Sequence, residues 1–247
     1  MPQQCEQRQN YNAMVKFIET ELDDLRREVD QMWTLVCGQM EQARQAVLEM
    51  DRAAAQQIIV RERRVDAFEL KIDSDVEDFI ALYTPVAVDL RFALAMLKIN
   101  NDLERIGDYA DGIARFVRDS DAAGLDPGLV GNLQLETMFD TVLGMLKGLQ
   151  EALRTEDAVK ATAIVEKDDL LDRINRASAG ILAEYALARP ELIAFCIGFG
   201  SVFRKLERTG DHLTNIAEEI VFYIDAKVLK HDEAQKAEKA KEAGTEQ

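Results

Sequence analysis

Positive charge is scarce in this sequence. Its 247 residues carry 30 Lys and Arg against 46 Asp and Glu, a formal net charge of −16. Such a chain repels nucleic acid and anionic membrane surfaces unless cations bridge them, so no nucleic-acid partner is expected. Metal ions and basic protein surfaces are its natural partners. Cysteine is scarce too: Cys5, Cys37 and Cys196 form an odd, widely spaced set. That usage suits reduced thiols in the cytosol and excludes a disulfide frame or a zinc knuckle. The only histidines are His212 and His231, and neither follows a Glu by three residues. This excludes the Glu-x-x-His di-iron set of ferritin-like bundles. Proline numbers 4 and aromatics make up 6%, while Ala, Glu, Leu and Asp dominate, which favours helices over sheets. No apolar run reaches the length of a membrane span, and the mean hydropathy is −0.20. The polar start from Met1 to Asn10 lacks the apolar core of a signal peptide. A cytoplasmic chain that does not insert in a membrane is expected.

What is present is helical periodicity. Val15, Ile18, Leu22, Leu25, Val29, Met32 and Val36 step by three and four residues, and Met40, Ala43 and Val47 continue the seam. Asp51 is placed to cap a second helix through Ile58, Val65, Ile72, Val76 and Phe79 to about Tyr83. Thr84-Pro85 ends it, because proline disfavours a helical residue before it. A third helix is expected from Asp89 to about Val117. Ser120 to Gly128 reads as a linker, with Asp126-Pro127-Gly128 as turn chemistry. The pattern then repeats. A fourth helix carries Leu133, Val142, Leu146, Leu149 and Leu153; a fifth runs from Asp157 to about Ala188, and a sixth from Pro190 to about Ala226. The expected fold is all-α: two tandem, pseudo-symmetric, three-helix up-down units, 1–120 and 121–226. Residues 227–247 are Lys, Glu, Ala and Gly without apolar periodicity, a tail expected to lack order.

The repeat is sharpest in one motif. Asn101-Asp102-Leu103-Glu104-Arg105-Ile106-Gly107-Asp108 returns 103 residues later as Arg204-Lys205-Leu206-Glu207-Arg208-Thr209-Gly210-Asp211. Glu104 and Asp108 share one helical face with Leu90, Leu94 and Leu97, and Glu207 and Asp211 repeat the spacing. Carboxylates on a core-facing stripe are costly unless neutralised. One helix earlier in each unit lies another pair four apart: Glu62 with Asp66, and Asp168 with Asp172. A single such pair is commonplace on a solvated face; four at repeat-equivalent places point to a pair of carboxylate cages. All-oxygen donors suit Mg²⁺, Mn²⁺, Ca²⁺ or ferric iron and argue against a structural Zn²⁺ site. Gly107 and Gly210 each cost a helix interior roughly 1 kcal/mol and need a reason, either close helix approach at the acidic face or simple tight packing.

Gly198-Phe199-Gly200-Ser201 falls within a helix with no strand before it, so it reads as packing and not as a phosphate loop. Cys196 and Trp33 read as core, and His212 as surface. No nucleophile, base and oxyanion site occur together, so no enzymatic activity is expected.

The chain resembles the PhoU family of phosphate-signalling regulators. The likeness rests on Pro85-Val86-Ala87-Val88-Asp89-Leu90-Arg91, on Asp102 to Asp108, and on Leu206 to Asp211 followed by Asn215-Ile216-Ala217; it spans about Val15 to Ala226. The resemblance implies two three-helix bundles related by pseudo-symmetry, homodimer formation, and metal sites built from paired acids. Some members bind multinuclear iron or zinc clusters, others Mg²⁺ or Mn²⁺. By motif match the ligands are Glu62, Asp66, Glu104 and Asp108 in the first unit, and Asp168, Asp172, Glu207, Asp211 and Asn215 in the second. It further implies a non-enzymatic restraint on phosphate uptake and on the phosphate-starvation response. The partners would be a phosphate ABC transporter subunit and a sensor histidine kinase. Two departures stand out. Gly112 occupies the place that matches Asn215, with Asp111 beside it as a substitute, and the second unit lacks the Asp-Leu-Arg element. An accessory of a different phosphate or ion carrier and a metal-free helical scaffold are the other readings.

Overall fold

The seam that begins α1 carries through a helix of 48 residues, Pro2–Glu49. This is a computed structural model; it describes residues 2–226, with side chains from residue 16 onward. The tail expected at 227–247 and the side chain of Cys5 lie outside the described residues. Leu25, Val29, Met32, Val36, Met40, Ala43 and Val47 are all buried, as the stride predicts. Trp33 is fully buried, and its Nε1 donates to the Leu146 carbonyl at 3.0 Å. That bond removes the cost of burying the indole N–H.

Asp51 caps α2 (Arg52–Tyr83), its carboxylate accepting from the Ala53 and Ala54 amides at 2.8 and 3.0 Å. The helix ends at Thr84 in the left-handed region before Pro85. α3 (Val88–Asp119) follows. Pro127 opens a short α4 (Pro127–Asn132) at the end of what reads as linker, capped by Asp126; proline at the first helical position costs no hydrogen bond. α5 is Leu135–Thr155.

The single helix expected from Asp157 to Ala188 is two, α6 (Ala158–Val165) and α7 (Asp168–Ala188). At the break the Lys167 amide reaches back only three residues, to Ile164, and that of Leu170 only to Lys167. Asp168 and Asp169 favour a fresh N-terminus here, where the exposed amides and macrodipole stabilise negative charge. The last helix opens as a 3₁₀ turn at Pro190–Leu192 and continues as α8 (Ile193–Asp225). The described residues thus form eight α-helices and no strand, an all-α fold.

α1, α2 and α3 pack together, α8 packs on α5, α6 and α7, and α3 joins α8 across the middle. The central pair is antiparallel. Phe92 meets Tyr223 at one end with ring centroids 5.2 Å apart, and Phe116 stacks on Phe199 at 5.7 Å at the other. One apolar core runs through both halves. The stripe of Leu90, Leu94 and Leu97 is not the core face of α3. Leu94 is 39% exposed, and the other two are half-buried. The core side of α3 is lined by Phe92, Met96, Ile99, Leu103, Ile106 and Ala110. The acidic face therefore borders the core and does not lie within it.

Candidate metal centre

In the first unit α2 offers Glu62 to α3. The residue is only 8% exposed and faces Gly107. A Cβ at 107 would stand 3.0 Å from Glu62 Oε1 and 3.1 Å from Val65 Cγ1. Close approach of helices at the acidic face is thus the reason for the glycine. Gln39 of α1 donates to Glu62 Oε2 at 3.0 Å. Burial pushes the Glu62 carboxyl up to about 7. The Gln39 hydrogen bond opposes this rise, and the charges of Asp111, Asp108 and Asp66 add to it. Glu104, half-buried, is raised by burial and then by Asp108. Asp66 is exposed. Arg105 spans the motif pair, 3.5 Å from Glu104 and 3.3 Å from Asp108.

The second unit repeats the arrangement. Asp168, at the start of α7, faces Gly210, where any Cβ would run into its Oδ1 and into Leu171. Burial pushes Asp168 up to about 6, and Asp211, Asp172 and Glu207 reinforce the shift in that order. Glu207 is raised by burial, then by Asp211 and Asp172. Arg176 holds Asp172 at 2.6 Å. The four acids of each unit are therefore brought within electrostatic reach of one another. Among the described residues, however, no three His, Cys, Asp or Glu side chains are arranged to hold an ion as they stand.

Do these residues suit a metal? The donors are hard oxygens. Glu62 Oε1 and Asp168 Oδ1 are buried with no hydrogen-bond partner. Buried acceptors without donors, in clusters of like charge, are what a cation relieves. The residues fit. Arg105 and Arg176 are the resident counter-charges that an ion would have to displace.

Asn215 stands one turn beyond Asp211 and lines the cleft between α3 and α8 with Asp102 and Lys98. Gly112, at the matching place, accommodates Lys205, whose Cε would overlap any Cβ there. His212 is not a surface residue: it is half-buried, with Nδ1 2.7 Å from Asp102 and Nε2 3.3 Å from the Tyr109 hydroxyl. A carboxylate only accepts, so Nδ1 carries the hydrogen and Nε2 accepts from Tyr109. Sequence reasoning also missed Gln39. Its signal was a polar residue on the stride from Val36 to Ala43, 1% exposed in the fold. Cys196 is buried, and Gly198 leaves room for Phe116, whose ring carbon would lie 3.0 Å from a Cβ. Both agree with the packing reading. No helix of the described residues is long and apolar enough to cross a membrane.

The PhoU domain model matches two stretches, residues 29–117 and 135–220. A relative from Caulobacter vibrioides, described as a phosphate-specific transport system accessory protein PhoU homolog, is 34% identical over 215 residues, covering 87% of this chain and 93% of its own. A Xylella fastidiosa protein with the same description is 34% identical over 220 residues, 89% of this chain and 91% of its own. Among solved structures, PhoU from Pseudomonas aeruginosa superposes with a TM-score of 0.79 at 29% identity, covering 85% of this chain and 99% of that one. The regulatory protein PhoU of the phosphate transport system of Streptococcus pneumoniae gives 0.75 at 25% identity, covering 85% and 98%. Matched in both of its repeats and a third identical to relatives along nine-tenths of their length, the chain belongs to the PhoU family.

Proposed function

We propose that this protein is a non-enzymatic accessory of a phosphate-specific transport system. In this reading it restrains phosphate uptake and the phosphate-starvation response by binding a transporter subunit and a sensor histidine kinase. It carries two carboxylate metal sites, one in each unit, 1–120 and 121–226. The observation that supports the metal part best is the repeated meeting of a buried carboxylate oxygen that lacks a hydrogen-bond partner with a helix glycine: Glu62 Oε1 on Gly107 and Asp168 Oδ1 on Gly210. Such duplication is hard to reach through packing alone. Glu62, Asp66, Glu104 and Asp108 would hold one ion or cluster, and Asp168, Asp172, Glu207 and Asp211 the other, with Asn215 at its margin. Bound metal would supply charge neutralisation, drawing α2 to α3 and α7 to α8.

The partner part is supported by charge and by exposed apolar groups. At a net charge of −16, recognition favours basic protein surfaces. Leu82 and Val88 flank the Pro85 turn, Leu187 and Ile193 flank the Pro190 turn, and all four are exposed. Paired exposed aliphatics at repeat-equivalent turns suit docking of protein partners. Regulation then follows from binding in one signalling state and not in another. Deleting the gene should raise phosphate-starvation gene expression in phosphate-rich medium, and pull-downs should recover the transporter ATPase or the kinase. Flat expression with altered activity of another carrier would favour an accessory role there. If neither changes, the regulator reading is wrong.

A further inference from the structure

We propose that Gln39, Glu62 and Asp111 form an inner oxygen site for a small divalent cation, distinct from the α3 motif carboxylates Glu104 and Asp108. The proposal rests on the reading that the acidic faces take metal, and it adds two donors outside the motif, Gln39 and Asp111, to Glu62. The three side chains are 1%, 8% and 8% exposed. In each, one oxygen or its amide partner is anchored and one oxygen is left over. Gln39 Nε2 donates to Glu62 Oε2 at 3.0 Å, and Arg115 Nε donates to Asp111 Oδ2 at 2.6 Å. Gln39 Oε1, Glu62 Oε1 and Asp111 Oδ1 have no partner at all.

Three buried acceptors without a donor are rare, because each forfeits its hydration without replacement. They are carried by α1, α2 and α3. Gln39 Oε1 and Glu62 Oε1 lie 3.5 and 3.0 Å from the point that a Cβ of residue 107 would occupy. The glycine thus lets two unpartnered oxygens close on α3 where a methyl would be crowded, and Asp111 follows one turn along the same face of α3. Two carboxylates and one amide, with Arg115 on the far side of Asp111, leave a net negative pocket of hard donors. Mg²⁺ and Mn²⁺ match the oxygen chemistry. The second unit offers less: Thr214 stands where Asp111 does, and only its Oγ1 and Asp168 Oδ1 are without partners. The first unit should therefore bind the more tightly, although Gly112 replaces the asparagine of the second.

The test is titration of chelator-stripped full-length protein with Mn²⁺ alone, followed by calorimetry and by the electron paramagnetic resonance of the ion. Three variants address the inner site: Gln39→Leu, Asp111→Asn, and Gly107→Ala, which crowds the Glu62 and Gln39 oxygens and keeps every donor. Each should weaken one class of Mn²⁺ site at least tenfold and leave the other unchanged, with circular dichroism showing folded protein. The control is Glu104→Ala with Asp108→Ala. If that control alone removes first-unit binding, the inner site is wrong and the motif reading stands. If the three inner variants remove it and the control does not, the inner site stands and the motif assignment of the first unit falls. Variants that alter the pH dependence of melting but not Mn²⁺ binding would show that the orphaned oxygens serve a proton, overturning the proposal. Absence of any Mn²⁺ binding by the unmodified chain would overturn both.

Discussion

Removing one charge should stabilise the metal-free protein. Glu62 has an ordinary value of 4.5 and is pushed up to about 7 by burial and its acidic neighbours. Between those two values the folded chain holds a proton that the unfolded chain has released, so stability falls as pH rises through this window and is flat above it. The gap corresponds to about 3 kcal/mol, and solvent at the rim of the cluster reduces it to about 2 kcal/mol. Asp168, raised from 3.8 to about 6, acts in the same direction. Glu156, held low by Tyr223 and Arg26, acts oppositely, its stabilisation being lost as pH falls through its lowered value; the comparison is therefore made between pH 5 and pH 8. Glu62→Gln deletes the charge and keeps an acceptor for the Gln39 amide. Its own amide can donate to Gln39 Oε1, which is without a partner. In chelator at pH 8 the variant should melt about 4–8 °C above the parent, the size expected of about 2 kcal/mol in a chain of this length. At pH 5 the two should nearly coincide. Melting followed by circular dichroism across this range is the assay. A variant less stable than the parent at pH 8 would refute the claim that Glu62 is an uncompensated buried carboxylate.

Other outcomes follow from the same geometry. Glu207→Ala with Asp211→Ala should abolish metal binding in the second unit and leave the first intact; unchanged calorimetric stoichiometry would remove that assignment. Saturating Mn²⁺ at about a hundred times its dissociation constant should stabilise the parent by about 2.7 kcal/mol, and a melting curve indifferent to metal and chelator would favour the scaffold reading. Gly210→Ala should destabilise by roughly 1–3 kcal/mol despite alanine's better helix propensity, because its methyl meets Asp168 and Leu171; a gain in urea unfolding would show that the contact relaxes freely. Leu187→Asp with Ile193→Asp should leave melting unchanged and weaken capture of the transporter ATPase, and undiminished capture would move the docking surface elsewhere.

The helix seams were legible in sequence because a three-and-four stride has one physical reading. Asp51 and the two prolines marked boundaries through chemistry that acts locally. The break between α6 and α7 was not legible: Ile164, Val165, Leu170 and Leu171 keep apolar spacing across it, and only the acidic pair Asp168-Asp169 signals a new start. The four acid pairs and both glycines were visible because the chain repeats itself. Gln39 was not, since it belongs to α1, which carries no copy of the motif, and its role exists only where three helices meet. His212 was misread for the same reason. Its partners Asp102 and Tyr109 come from the other unit, and no local pattern encodes a contact across 110 residues.

The glycine contacts lie near the middle of the central antiparallel pair. α3 has 32 residues and α8 has 33, so each helix extends about 24 Å to either side of its midpoint. That geometry would let each helix act as a lever about its glycine contact, Gly107 against α2 and Gly210 against α7. A change of about 5° in how α2 rests on α3, or α7 on α8, becomes a displacement of roughly 2 Å at the proline turns. An ion that neutralised a few carboxylates at the waist would thereby move surfaces at the tips that it does not touch.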